Sequence, residues 1–266
     1  MNTSYTFAAT QEADENGAVG AAVAALPLSF RPAATGENAQ VAAIAGAAGW
    51  TSEAIRAVNA GARGVVVIAP HAEDTSALSR AAASAGAAVV LDHRWASNPG
   101  LVGAEDAVRS VAGRTAMLDT VATSAAGGDP EQLLAEHLAA VVRLTGPLES
   151  VHVLHRGPHG YTVSARLANA APATLQGVLS DGRAAGVDFR LYTNDGGVSI
   201  TVPEPSAAWP AEVRATAGQG EVLLPTLYET AHRGSWRRLK GHLDAGTLPA
   251  DLAGFARLTA QLAQLG

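Results

Sequence analysis

Three short apolar runs set the pattern of the first hundred residues. VAAIAG (Val41–Gly46), VVVIAP (Val65–Pro70) and AAVVLDH (Ala87–His93) are almost continuous in Val, Ile, Leu and Ala. TSEAIRAVNAG (Thr51–Gly61) and DTSALSRAAASAG (Asp74–Gly86) lie between them and read as helices. Thr51 or Ser52 caps the first and Asp74 the second, and Gly61 and Gly86 stop them. Apolar strands alternating with helices predict a parallel sheet covered on both faces, the later portion of a doubly wound domain. Upstream, YTFAAT fits a short strand. GAVGAAVAAL fits a strand or a small-residue helix, and RPAATGEN (Arg31–Asn38) is a loop by its Pro, Gly and Asn.

The pattern changes after WASNPG (Trp95–Gly100). AEDAVRSVA (Ala104–Ala112) and EQLLAEHLAAVVRLTG (Glu131–Gly146) read as helices, the second opened by Asp129-Pro130. Six strand-like segments follow: SVHVLHR, YTVSARLAN, ATLQGVLSD, VDFRLYTND, GVSITVP and EVLLPTL. The turn formers GPHG, NAAP, DGRAAG and NDGG separate them, which implies an antiparallel sheet. SWRRLKGHLDAG and ADLAGFARLTAQLAQL close the chain as helices. The expected fold is thus α/β followed by α+β. A shortened parallel-sheet domain covers residues 1–98, and an open antiparallel sheet with flanking helices covers residues 99–266.

Composition narrows the function. Hydrophobic residues make up 48% of 266 and charged residues 16%, enough for substantial cores. The net charge of −6 argues against nucleic acid or an anionic membrane as a general partner. No cysteine is present, which excludes disulfides, thiolate catalysis and Cys-ligated zinc. The polar, acidic start lacks a secretory signal pattern, and no long uncharged apolar window exists, so a soluble cytoplasmic protein with no membrane partner is expected. His152, His155 and His159 lie on one strand and its turn without a carboxylate at suitable spacing, so no metal is assigned. The basic stretch HRGSWRRLKGH (His232–His242) reads as a solvated helix face.

Several motifs, in order, resemble the Gfo/Idh/MocA family of NAD(P)-dependent sugar and polyol oxidoreductases over roughly residues 40–266. That family joins a Rossmann domain to an open antiparallel sheet. Its ATP loop falls on Gly46–Gly49, and its EKP tripeptide falls on Ile68-Ala69-Pro70, where only the proline is kept. Arg94 and Pro99 sit near the family's usual arginine and proline. The motif GGDPEQLLAEH (Gly127–His137) keeps the family's Gly–Gly to His spacing, with Leu133 and Ala140 where carboxylates are usual. LTGPLESVHVL resembles the start of the family's sheet.

The resemblance implies NAD or NADP as cofactor, if any, with Gly46, Gly49 and Pro70 at the cofactor, His137 as the catalytic acid/base, and a sugar or polyol ligand. His93 and Arg94, at the C-terminal end of a strand, are the substrate-binding candidates, because open α/β sheets bind ligands there. His71 and Asp74 share that edge.

The residues themselves leave alternatives open. No G-x-G-x-x-G follows a first strand, and Gly17-Ala-Val-Gly20 follows acidic sequence instead. GAAG reads equally as a tight turn, and His137 as a structural helix histidine. Ala69 cannot handle a proton. Three functions follow: a non-catalytic or regulatory subunit with a degenerate nucleotide domain, an active oxidoreductase using His137, or a small-metabolite-binding module with its pocket near His93, Arg94 and His137. The open sheet face is expected to be apolar and to be covered by a second copy or by a full-length homologue.

Overall fold

The computed structural model describes residues 4–207 and 209–265. In chain order the elements begin with β1 (Tyr5–Ala9), α1 (Gln11–Gly17), α2 (Val19–Ala24), β2 (Phe30–Pro32), β3 (Val41–Ala45) and α3 (Trp50–Asn59). β4 (Gly64–Ile68), α4 (Ser76–Ala85), β5 (Ala88–Asp92), α5 (Pro99–Val111), β6 (Met117–Ser124) and α6 (Pro130–Thr145) follow. The strands β7 (Glu149–Gly157), β8 (Gly160–Arg166), β9 (Pro172–Leu179), β10 (Gly186–Thr193), β11 (Gly196–Pro203), β12 (Glu212–Ala217) and β13 (Gly220–Leu223) precede α7 (Ala231–Ala245) and α8 (Asp251–Leu262).

The chain forms two compact units. One comprises the residues up to His93 with Ala231–Ala260, and the other comprises Arg94–Thr230 with the residues from Gln261. Assigning all of 99–266 to a second domain therefore needs correction. Trp236, Leu239 and Leu243 of α7 are buried in the same core as Tyr5, Phe30, Val66 and Val90 of the first unit. Their register along α7 places one apolar stripe on the sheet, and burial of that stripe decides where the helix docks.

The first unit holds a five-stranded parallel sheet in the order β2-β1-β3-β4-β5. Residues 5–32 therefore complete the doubly wound sheet with two further strands, rather than leaving only its later portion. GAVGAAVAAL resolves as α2, and Arg31 and Pro32 belong to β2 rather than to the expected loop. β4 and β5 are buried at every position because helices lie on both faces. Val66 and Ile68 join the core shared with α1, α2 and α7, while the alternate Val65 and Val67 point to the other face.

The second unit holds an eight-stranded mixed sheet in the order β13-β12-β11-β10-β6-β9-β8-β7. β6 went unread in the sequence and lies between β10 and β9, antiparallel to the first and parallel to the second. α5 packs on β11 and β12, and α6 packs on β6, β8 and β9. The helix-facing row Val163, Leu175, Phe189, Ile200 and Val213 is buried and apolar, interrupted only by Thr120.

The opposite face is mixed rather than the expected apolar surface, with Met117, Val178 and Tyr192 exposed on it beside polar rows. One transverse row reads Ser164, Thr174, Asp119, Arg190, Ser199 and Arg214 from β8 to β12. The physical reason is the period of two: each buried apolar residue forces its neighbours outward, and here those neighbours are hydroxyl-bearing and charged.

Three backbone hydrogen bonds hold the bend after β4. The amide of Gly46 donates to Ile68 O at 2.7 Å, that of Ala69 to Asp92 O at 2.9 Å, and that of His71 to Gly46 O at 2.7 Å. A Cβ on Gly46 would lie 2.3 Å from Pro70 Cα, and Ala69 has φ 48°. Gly46→Ala is expected to lower stability by about 1–3 kcal/mol through overpacking. Ala69→Gly is expected to raise it by up to about 1 kcal/mol by relieving a left-handed alanine. Denaturant titration of the two variants checks both signs.

Candidate functional site

In the first unit the C-terminal edge of the sheet carries three features that decide what it can bind. The first is the strand-to-helix turn after β1. Here it reads Thr10-Gln11-Glu12-Ala13-Asp14, with no glycine and with Glu12 and Asp14 in the first turn of α1. Thr10 caps the helix by accepting from Ala13 N at 3.2 Å, and Asp14 accepts from Gly20 N at 2.6 Å. Two carboxylates at a helix start repel the dinucleotide pyrophosphate that this position binds in doubly wound folds. Gly17 serves packing, since a Cβ there would meet Ile68 Cδ1 at 2.9 Å.

The second feature is the start of α3. Its N-cap is Gly49, at φ 88°, rather than Thr51 or Ser52. Glu73 supplies the capping carboxylate from the loop after β4. It accepts from Gly49 N through Oε1, and from Thr51 N at 3.2 Å and Thr51 Oγ1 at 2.8 Å through Oε2. The anion site of this helix is thus filled by the protein's own carboxylate. Gly46 and Pro70 are brought together in the bend described above, and Gly49 is the cap position. His71 accepts from Trp50 Nε1 at 2.8 Å through its backbone oxygen, and Asp74 accepts from Ser76 N at 2.9 Å, although the N-cap of α4 is Thr75 rather than the expected Asp74.

The third feature is Asp92, wholly buried at the end of β5. Its carboxylate meets His232 Nδ1 at 2.7 Å and Ser235 Oγ at 2.8 Å, both on α7. No sequence pattern linked these residues, which are 140 and 143 positions from Asp92. The stretch read as a solvated basic face is therefore amphipathic: His232, Ser235 and Trp236 face inward. His93 lies next along the chain, with its ring 6.0 Å from that of Phe255.

In the second unit Arg94 and His137 are both anchored. Arg94 donates its amide to Glu136 Oε2 at 2.8 Å, Nε to Glu204 Oε2 at 2.5 Å and Nη1 to Ser124 Oγ at 3.0 Å. Its guanidinium also lies 4.8 Å from the Trp95 ring centroid.

His137 is fully buried, as are Leu133 and Ala140 on the same helix. Its Nε2 lies 2.8 Å from Thr120 Oγ1, and its Nδ1 lies 2.8 Å from the Tyr161 hydroxyl. Thr120 has one proton, which it donates to Asp188 O at 2.7 Å. It must therefore accept from His137, so Nε2 carries the ring proton and Nδ1 accepts from Tyr161. Burial lowers the His137 pKa to about 3 and pushes the Tyr161 pKa well up, so both groups stay neutral near pH 7. Both nitrogens of the neutral imidazole are thus hydrogen-bonded to protein groups inside the core. Among the described residues, no group of three or more His, Cys, Asp or Glu side chains converges as metal ligands, and no helix is long and apolar enough to cross a membrane.

The full architecture aligns with solved oxidoreductases. The 3-ketoreductase from Actinomadura kijaniata, in complex with NADP, superposes with a TM-score of 0.75 at 13% identity over 99% of this chain and 97% of that one. The UDP-N-acetylglucosamine 3-dehydrogenase from Acidithiobacillus ferrooxidans gives 0.66 at 14% identity over 98% and 95%. An aldose-aldose oxidoreductase from Caulobacter crescentus, complexed with glycerol, gives 0.65 at 16% over 84% and 76%. The fold is the one the Gfo/Idh/MocA resemblance implies. No protein-family model matches the sequence, and no curated protein matches it either.

The burial of His137 sets a pH dependence. Its folded pKa of about 3 lies below the ordinary 6.5, so between those values the unfolded chain binds the extra proton. Stability is therefore full above about pH 6.5 and falls as pH drops, by at most about 1.4 kcal/mol per unit. The lowered carboxylates Glu37, Asp74, Asp195 and Asp244 add losses only in more acid solution. His137→Gln should flatten the melting temperature between pH 6.5 and 5 relative to its own value at pH 7.5. An unchanged slope contradicts the neutral, caged histidine.

Proposed function

We propose that this chain is a Gfo/Idh/MocA-like protein that has kept the two-unit scaffold and dropped the hydride-transfer chemistry. It acts as a non-catalytic or regulatory subunit. The observation that carries this reading is His137, neutral and hydrogen-bonded at both nitrogens inside the second unit. Hydride transfer to a carbonyl needs a proton source within reach of the developing alkoxide. The position that resembles the family's lysine is Ala69, and the position that resembles its acid/base is this caged histidine.

Two further features support the reading. The acids at the start of α1 and the Glu73 carboxylate at the start of α3 place negative charge where a dinucleotide's phosphates would lie. NAD or NADP binding, if it occurs, therefore needs contacts other than those helix starts.

Structures of the aligned 3-ketoreductase hold NADP and TDP-benzene and the aldose-aldose oxidoreductase holds glycerol, and with the family resemblance these support a sugar or polyol as the proposed ligand class. The partner is a second copy or a full-length homologue, docked on the outward face of the eight-stranded sheet. That face mixes polar rows with exposed Met117, Val178 and Tyr192, so the contact combines hydrogen bonds and charge pairs with apolar burial.

The test is a steady-state assay of the pure protein with NADH, NADPH and their oxidised forms over a panel of polyols and keto sugars. No turnover is expected, and Ala69→Lys should not restore it, because His137 stays caged. Turnover that His137→Ala abolishes overturns the proposal.

A further inference from the structure

The second unit contains a cavity of about 390 Å³ away from any residue discussed so far. Its floor is aliphatic: Val108 of α5, Leu144 of α6, Leu167 after β8 and Leu191 of β10, none more than 8% exposed. Its only charged lining residues are Glu105, Arg109 and Arg143. Thr115, Thr145 and Asn169 add uncharged polar groups to the lining, and a volume in this range with both aliphatic and polar walls suits a small amphipathic organic ligand.

Charge decides the ligand class. Glu105 Oε1 meets Arg143 Nη2 at 2.6 Å, and Glu105 Oε2 lies 4.0 Å from Arg109 Nη2. One carboxylate is thus shared by two guanidinia, and the lining carries one net positive charge from two arginines and one glutamate. Asp106, almost fully exposed, pairs with Arg109 from outside the lining. A guanidinium has five N–H donors in a planar fork, so Arg143 can hold Glu105 and still present donors to a second carboxylate.

We infer that this cavity is a binding site for a small amphipathic monocarboxylate, its carboxylate on Arg143 and its ring or chain on the Leu144–Leu167–Leu191 floor. The site lies wholly within the second unit. It is therefore independent of whether a dinucleotide binds, and either result can hold without the other. For a regulatory subunit, it is a place where a metabolite level could be read.

The experiment uses the full chain with 2-naphthoate and octanoate as probes, followed by isothermal titration and by amide shifts of residues 105–112 and 167–169. Saturable binding is expected, with shifts confined to those segments. Arg143→Gln, at a half-exposed position, should weaken it at least about tenfold, the loss expected for one charge-assisted contact. Ala168→Phe, at an exposed position on the rim, should block it while leaving the melting temperature unchanged. The neutral 2-naphthylmethanol should bind at least tenfold more weakly than 2-naphthoate. Failure of both acids to saturate up to their solubility limits overturns the inference. So does equal affinity in Arg143→Gln, or equal affinity for the neutral analogue.

Discussion

Asp92 is the side chain on which the first unit depends. It ends β5 with no exposure, and a bare carboxylate there would carry a large desolvation cost. His232 and Ser235 relieve that cost by meeting its two oxygens from the first turn of α7. The helix start adds its own favourable field. The backbone oxygen of the same residue accepts from Ala69. One residue therefore joins the bend after β4, the end of β5 and a helix that arrives 140 residues later, beside the Trp236, Leu239 and Leu243 stripe whose burial seats that helix on the sheet.

The second unit is organised around a different polar exception. The helix-facing row of its sheet would be apolar throughout but for Thr120, and Thr120 exists beside His137. Tyr161 completes the cage, and Gly177 makes room for it: a Cβ at Gly177 would lie 2.1 Å from the Tyr161 ring. Thr120 on β6 and Tyr161 on β8, with a glycine on β9, thus fix the ring of His137 on α6. The same enclosure favours the neutral imidazole by excluding water from it.

The fold was legible where local pattern and tertiary outcome coincide. The apolar runs at 41–46, 65–70 and 87–93 became β3, β4 and β5, because strands buried on both faces need continuous apolar sequence. β6 was not legible. MLDTVATS has polar residues on both faces, since Thr120 is buried for His137 while Asp119 faces outward to Thr174. The caps show the same limit. Asp74 bonds Ser76 two residues away, a local contact within reach of the sequence even though Thr75 is the N-cap, whereas Glu73 caps a helix that begins more than twenty residues earlier. His137 was found from its spacing, but its environment was not, because Thr120 and Tyr161 belong to strands that meet only in the folded sheet. The Asp92–His232–Ser235 contact had no sequence signature at all.

The proposed loss of cofactor chemistry is tested most directly by isothermal titration of NADP and NAD into the pure protein. The account predicts no saturable heat at millimolar cofactor and no rise in melting temperature. Stoichiometric binding of one cofactor per chain, with micromolar affinity and a matching rise in melting temperature, would contradict it.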